Sequence, residues 1–481
     1  MIVKRRGGLC GRPFNRFVYY PQNKKLDDMD NFLLSYLEKK YGVSEGTPLY
    51  SAAEKLLQRL WQGSVCIPVE DSLANSEAVG KKGDIRPLIF DDGKLYIQKY
   101  FIYQTRILEK IDELLENNKL HIITGGPGTG KTTSLAKIIK DRLTEKILLA
   151  APTGKAALRM RESLSNQGIN LEAKTLHSLL GYKHLSVSFK HTKENSLDAR
   201  IIAIDECSMI DLPMMSKLLD AVPNDCDLYL LGDKNQLASV EAGSVFADIC
   251  EKLKTNKDAY KELTKNYRTE NASGIYALSK DILAETAESF NNENIEHYEN
   301  KELKAKLPDW YKELFEAKDK IEALGFLKTF QILCAMNVGI NGTKNINNEL
   351  GNLAREKKAK FTPIIITENN YQLNLFNGDV GVVDEDNKQA YFYASKNEIK
   401  EFPLLTLPAS DLAFAITIHK SQGSEYKKVA VVYPDRESEF LTRELLYTAI
   451  TRAKEKCFIF GNKEVLAKSC KRKIFRASGI R

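Results

Sequence analysis

The run HIITGGPGTGKTT carries the pattern G-x-x-x-x-G-K-[ST], with Gly125, Gly130, Lys131 and Thr132 at its fixed positions. An apolar strand precedes it and a helix start follows, which is the context that separates a phosphate-binding loop from a chance match. Glycines let backbone N–H groups curl around phosphates, and the N-terminus of the following helix favours the same negative charge. Gly125, Gly126, Pro127, Gly128, Thr129, Gly130, Lys131, Thr132 and Thr133 are therefore the expected ATP cradle. Lys131 is expected to pair with the β- and γ-phosphates, and the Thr132 hydroxyl to bind Mg²⁺. The loop alone does not say which ATPase or GTPase this is.

IIAIDECSM supplies a second element. A buried strand ending in Asp205 and Glu206 delivers two carboxylates to the C-terminal edge of a sheet, where ligands of α/β folds bind. Asp205 is expected to hold Mg²⁺ and Glu206 to orient or deprotonate the attacking water. A third strand ends in the polar cluster of LYLLGDKNQLASVEAG, where Gln236 is the candidate sensor of the water at the γ-phosphate. Taken alone, an Asp–Glu pair is more often a solvated turn and a glutamine a surface residue. The strand context and the surrounding runs favour function.

These residues need a scaffold that holds several strand ends side by side. The chain has 481 residues, of which 43% are hydrophobic and 28% charged. That balance belongs to a folded protein of several domains rather than a disordered one. The net charge of +7 is mild and cannot by itself diagnose nucleic-acid binding. Eight cysteines are scattered with no Cys-x-x-Cys pair, so they are expected to be reduced core thiols without zinc or an iron–sulfur cluster. No apolar run approaches the roughly 18 residues that span a bilayer, and a cytoplasmic, non-membrane protein is expected.

The expected organisation is an α/β fold: two RecA-like P-loop NTPase lobes with parallel sheets, a small mixed amino-terminal domain, and a small β-barrel insertion in the second lobe. Residues 1–28 are basic and aperiodic and read as a tail, either a disordered arm, a contact for DNA or a partner, or the product of a start codon upstream of Met29. Residues 29–104 show helical spacing in NFLLSYLEKKYG and AAEKLLQRLWQG, then strand-like SVCIPVE and GKLYIQKYF. Strands KLHIITG, KILLAAPT, ARIIAIDE and CDLYLLGD alternate with helices and assign 105–256 to the first lobe. The second lobe is expected at 257–481, with FQILCAM, KVAVVYP and KCFIFGN as strands and TKNINNELGNLARE and RELLYTAITRAKE as helices. Short strands broken by turns at about 361–408 suit the β-barrel.

Read in order, GGPGTGKT, APTGKAA, TLHSLLGY, DECSMIDLP, LGDKNQLASVEAGSVFADIC, LTKNYRT, FNGDVGV, AITIHKSQGSE and ELLYTAITRAKE resemble the ordered motifs of superfamily-1 helicases. DECSMID, GDKNQLASVEAGSV, LFNGDVGV, TIHKSQGSE and the closing FRASG resemble the RecD family more closely. The resemblance covers about 93–481 well and LLQRLWQGSVCIPVE more weakly. It implies an ATP-dependent 5′ to 3′ DNA helicase subunit of a RecBCD-like exodeoxyribonuclease V. Such a subunit would work on single-stranded DNA and duplex ends in recombinational repair, in a heterotrimer with RecB-like and RecC-like subunits, with 29–104 as the docking domain. The alternatives are a free-standing RecD-like helicase and a DNA-dependent regulatory ATPase that does not unwind.

The same resemblance assigns residues. Arg268 in NYRT and Arg452 in AITRA match the arginines by which the second lobe reaches the γ-phosphate on closure, where they would stabilise charge in phosphoryl transfer. Tyr267 matches an aromatic that stacks on adenine, Glu425 a residue near the ribose, and Gln236 links the water to the DNA-facing loop. Pro152, Thr153, Gly154 and Lys155, Thr175 and His177, and Thr417, His419 and Lys420 match single-strand contacts, whose small hydroxyls, amides and cations suit phosphate binding without sequence readout. Residues 182–200 fall where the family carries a hairpin wedge. One departure is the missing Gln-x-x-Ala tetrad before the P-loop. Gln104 is the only local candidate for reading adenine, at a doubtful spacing, so adenine specificity stays open.

Overall fold

A computed structural model describes residues 28–182, 188–267, 269–370, 372–395 and 398–480. The basic tail up to residue 27 lies outside these, as do Arg268 and residues 183–187 of the expected hairpin wedge. At the amino-terminal side, Thr47 caps the helix Pro48–Trp61 by accepting from the Tyr50 N–H, and a proline occupies its first turn. The helix buries Leu49, Ala53, Leu56 and Leu57 together with Leu34 and Leu37 of helix Asp28–Tyr41. Beneath them lies a sheet ordered Cys66–Pro68, Lys94–Ile97, Leu88–Asp91, Val79–Gly80. The run GKLYIQKYF is not one strand. It ends at Ile97, and Gln98 opens a helix to Glu116 whose Ile107, Ile111 and Leu114 enter the first lobe's core.

The first lobe is a six-stranded, all-parallel sheet ordered Tyr260–Leu263, Leu120–Gly125, Asp227–Gly232, Ile201–Ile204, Ile147–Ala151, Ala173–Thr175. The central strands are apolar on both faces because helices cover both sides. The sequence boundary at 256 needs correction: Tyr260–Leu263, assigned to the second lobe, pairs beside the P-loop strand with Leu263 opposite Gly125. Four apolar or mixed residues carry no mark of which sheet will take them.

The second lobe is a five-stranded parallel sheet ordered Ile295–Tyr298, Ala453–Phe460, Tyr426–Val432, Phe330–Cys334, Ala415–Thr417. The helix expected across RELLYTAITRAKE stops at Ile450, and Ala453 is already paired with Tyr426. The ladder to a buried neighbour outweighs the helix propensity of AKE. The insertion is an antiparallel sheet ordered Glu398–Pro403, Gln389–Ser395, Val380–Asp384, Phe361–Ile366, Ser410–Leu412. Among the described residues its two outer strands are not paired to each other, so it forms an open sheet rather than a closed barrel and extends to Leu412. Its two faces bury separate clusters, Ile364, Ile366, Val383 and Phe392 on one side and Phe361, Val382 and Tyr391 on the other.

After the last helix, Lys463–Lys471, the chain leaves the second lobe. Ile480 is 1% exposed and belongs to the first lobe's core, beside Val65 of the amino-terminal unit. The assignment of 257–481 to one lobe is thus corrected at both ends. Seven cysteines are buried free thiols; Cys10 lies outside the described residues.

Candidate active site

Strand Leu120–Gly125 runs into the loop 126–130 and helix Lys131–Ile139, which opens from Gly130 in the left-handed region at φ 81°. The Thr129 hydroxyl closes the loop on Gly126 O at 2.8 Å. The Lys131 ammonium donates to Gly125 O at 2.6 Å and Gly126 O at 3.2 Å, so the cation sits on the loop's own carbonyls at the mouth of the cradle. Thr132 and Thr133 follow on the first helical turn.

The neighbouring strand ends deliver the acids. Glu206 has φ 55°, a left-handed conformation that costs a non-glycine residue about 1 kcal/mol, and its N–H donates to Asp205 Oδ1 at 2.8 Å. Burial and the adjacent Glu206 carboxylate push Asp205 up to about 6, against the pull of Lys131.

Next in the sheet comes Asp233, one residue past strand Asp227–Gly232 and 1% exposed. Burial raises its pKa, and Lys131 again opposes this. It accepts from Asn235 N at 3.0 Å, Gln236 Nε2 at 3.2 Å and, from the second lobe, the Tyr447 hydroxyl at 2.9 Å. Gln236 is 6% exposed, and its Oε1 has no hydrogen-bond partner among the described residues. Gly126 must be glycine, because a Cβ there would stand 2.9 Å from the Tyr447 oxygen. Asp233 and Tyr447 lie inside the quoted motifs GDKNQ and LLYTAITRA, yet spacing assigned them nothing. Only their pairing reveals them.

Helix Arg443–Ile450, capped by Thr442, brings Tyr447 to this seam. One residue on, Thr448 Oγ1 accepts from Leu237 N at 2.8 Å, and Gln422 Nε2 donates to Leu237 O at 2.7 Å. Arg452 is 2% exposed, with Nε on Thr448 O at 3.1 Å and Nη1 on Ser424 O at 3.2 Å. Its guanidinium is thereby held on carbonyls of the second lobe just behind the seam. Arg159, which the sequence left unassigned, comes from helix Gly154–Ser165 of the first lobe. It donates to Gly423 O at 2.8 Å and pairs with Glu425 at 2.5 Å, which also meets Lys454 at 3.3 Å. Glu425, expected near the ribose, here takes part in an ion pair across the lobes.

Tyr267 is 68% exposed, and its N–H donates to Gly128 O at 3.0 Å. Its ring edge lies 3.8 Å from where a Gly130 Cβ would be, so it is an aromatic plate on the P-loop rather than a core tyrosine. Gln104, by contrast, is buried and accepts from Gly479 N at 2.7 Å, which ties it to the carboxyl-terminal segment.

The candidate DNA residues lie at or just past strand ends of both lobes. Thr175 pairs in register with Ala151, next to Pro152, and caps the short helix bearing His177. The His177 ring packs on Tyr182 and Phe189, and burial lowers its pKa. Thr153 caps helix Gly154–Ser165, and Gly423 of the second lobe stands within reach of Thr153 and Ala156. Phe376 of the insertion covers Gly154. Burial and Arg159 push Lys155 down to about 8, opposed by Asp379 of the insertion. Thr417 Oγ1 accepts from Lys420 N at 3.3 Å, and Lys420 reaches Asp411 at 3.6 Å. Burial and Arg476 push His419 down to about 4.

A P-loop, carboxylates at neighbouring strand ends, a buried glutamine beside them and a second α/β lobe hydrogen-bonded to the same loop define a two-lobed P-loop ATPase. Residues 109–242 match the AAA domain and 412–460 the UvrD-like helicase C-terminal domain. The RecBCD enzyme subunit RecD of Buchnera aphidicola subsp. Acyrthosiphon pisum is 30% identical over 90% of this chain and 89% of its own length. The RecD subunit of Mycolicibacterium smegmatis is 35% identical over 75% of this chain and 72% of its own length. The chain belongs to the RecD family. The ATP-dependent RecD2 DNA helicase of Deinococcus radiodurans is 28% identical over 85% of this chain and 54% of its own length. A Pif1 helicase from Bacteroides, in complex with ADP-AlF3 and ssDNA, aligns with 75% of this chain at 19% identity and a TM-score of 0.42.

Proposed function

We propose that this RecD-family helicase moves 5′ to 3′ along single-stranded DNA by closing its two lobes on one ATP, and that it works at duplex ends beside RecB-like and RecC-like subunits. The observation that carries the motor reading is the Tyr447–Asp233 hydrogen bond: the second lobe reaches the nucleotide cradle of the first through a buried contact. On this reading the P-loop amides and Lys131 hold the phosphates, with the ammonium leaving the Gly125 and Gly126 carbonyls for the β- and γ-oxygens. Tyr267 offers its exposed ring to the adenine, and Glu206 takes the proton of the attacking water while Gln236 Oε1 orients it.

Thr132 and Asp205 supply the hard oxygen donors that Mg²⁺ prefers, and the raised proton affinity of Asp205 fits a carboxylate awaiting a cation. When bound, the ion would neutralise charge on the phosphates. Arg452 and Arg268 are the residues we assign to charge stabilisation on closure. Single-stranded DNA would run over Pro152–Lys155, Thr175, His177 and Thr417–Lys420, where lobe motion changes the spacing between the two groups of contacts. The amino-terminal unit, whose Val65 is buried in the first lobe's core, is the proposed handle for a RecC-like partner.

Strand displacement on duplexes with a 5′ or a 3′ single-stranded overhang tests direction: unwinding confined to the 3′ overhang would overturn it. Co-expression with the genomic RecB- and RecC-like neighbours, followed by size-exclusion chromatography, tests assembly. A full-length chain that stays monomeric beside them would favour the free-standing reading. Hydrolysis indifferent to DNA would favour the regulatory ATPase.

A further inference from the structure

The closing motif FRASG has no part in the ATP or DNA chemistry above, yet it is threaded through the centre of the molecule. From the second lobe's last helix, the segment 473–480 returns to the first lobe and the amino-terminal unit. Val65 N donates to Ala477 O at 2.8 Å, Ala477 N donates to Ser64 Oγ at 3.2 Å, and the Ser478 hydroxyl donates to the buried Asp248 at 2.7 Å. Ile480 then locks into the first lobe's core.

Residue 476 has the most specific place. Between the sensor Gln236 and helix Val245–Leu253 the chain has no regular structure, so its carbonyls find no ladder partners of their own. Arg476 Nη1 lies 2.6 Å from Ser239 O, 3.1 Å from Glu241 O and 2.9 Å from Gly243 O. Two N–H groups serve three acceptors, so one bond is shared, and the three alternate carbonyls converge on one cation, with the Ser239 hydroxyl also within reach of Glu241 O at 3.3 Å and Gly243 O at 3.4 Å. Gly63 of the amino-terminal unit leaves the space: it has φ 90°, and a Cβ there would lie 2.3 Å from Arg476 Nε. Gly243 N in turn donates to Gly63 O at 2.8 Å. The same guanidinium is a cationic neighbour of His419 in the second lobe.

We propose that Arg476 is a positioning residue for the sensor loop, and that the segment 473–480 is a strap through which the amino-terminal unit and the second lobe jointly set the placement of Gln236. A partner that shifts the amino-terminal unit would move Gly63, release or tighten the Arg476 Nη1 bonds, and so change hydrolysis without touching ATP. The inference rests on the reading of Gln236 as the sensor.

The test is steady-state ATPase of the full chain at saturating single-stranded DNA, in Arg476→Ala, Arg476→Lys and Gln236→Ala, with amide exchange of 237–244. Loss of these bonds is expected to lower kcat about tenfold with KM for ATP within about twofold, and to speed exchange in 237–244. Lysine keeps a cationic donor nitrogen on a shorter side chain that cannot bring it to the Nη1 position in full, so an intermediate kcat at an unchanged melting temperature is expected, and this variant decides if the alanine fails to fold. Wild-type kcat in Arg476→Lys with unaltered exchange, or a KM rise that accounts for the whole loss, overturns the proposal while Gln236→Ala is impaired. If Gln236→Ala itself keeps wild-type kcat, the sensor reading fails, and the proposal falls with it.

Discussion

Tyr447→Phe removes one oxygen and leaves the ring that packs in the second lobe's core. That oxygen lies 2.9 Å from Asp233 Oδ2, between a residue 3% exposed and one 1% exposed, so water cannot replace it cheaply. Asp233 keeps the Asn235 N–H at 3.0 Å and Gln236 Nε2 at 3.2 Å, and its ionised form loses the only one of these donors that comes from the other lobe. A hydrogen bond to a charged group is worth about 1.5–3 kcal/mol, which is about 10- to 150-fold in an equilibrium constant. The bond exists only when the lobes are apposed, so the loss falls on closure. If closure of the ATP-bound enzyme is near balance, kcat drops by a similar factor, whereas the phosphate contacts of the P-loop are untouched. The assay is DNA-stimulated ATPase, with ATP affinity measured by equilibrium binding and folding checked by thermal melting. A kcat within twofold of the parent, with unchanged melting, would refute the argument that this bond couples the lobes.

Lys131→Ala should leave the fold intact, since the ammonium touches only loop carbonyls, and should reduce hydrolysis to less than about a tenth; higher activity contradicts its phosphate role. Arg452→Ala should lose both hydrolysis and about 2–4 kcal/mol of stability, because it strips buried Thr448 O and Ser424 O of their donor; a wild-type melting curve would sink the burial argument. Lys155 is cationic below about 8 and neutral above it, so low-salt affinity for single-stranded DNA should fall between pH 7 and 9. Lys155→Arg should flatten that profile in fluorescence anisotropy, and an equal fall in both proteins would remove Lys155 from the DNA path.

The structure also alters what a deletion could teach. Removing the amino-terminal unit looks harmless to the motor when the chain is read as consecutive domains. Val65 and Ile480 share the first lobe's core, however, and Gly63 and Ser64 hold the strap, so the deletion would open that core. Docking is better probed by surface changes in the full chain.

The P-loop, the Asp205–Glu206 strand end and the sensor run were legible because each is local: glycines, a strand and a helix start must follow one another within a dozen residues, and their spacing is their geometry. Alternating strands and helices likewise announced two parallel sheets. Adjacency between distant segments leaves no such trace. Asp233 and Tyr447 are separated by 214 residues, and Gln104 and Gly479 by 375, and nothing in the periodicity of either segment names its partner. Strand Tyr260–Leu263 could pair at any open sheet edge, and the free backbone groups beside Leu120–Gly125 claimed it. The irregular loop after Gln236 had carbonyls to satisfy, and beside the local Ser239 hydroxyl a charged donor to them arrives more than 230 residues later. Residue types and spacing marked the candidate ATP site; the packing of strand edges and the need of buried polar groups for partners decided which lobe, and which end of the chain, meets it.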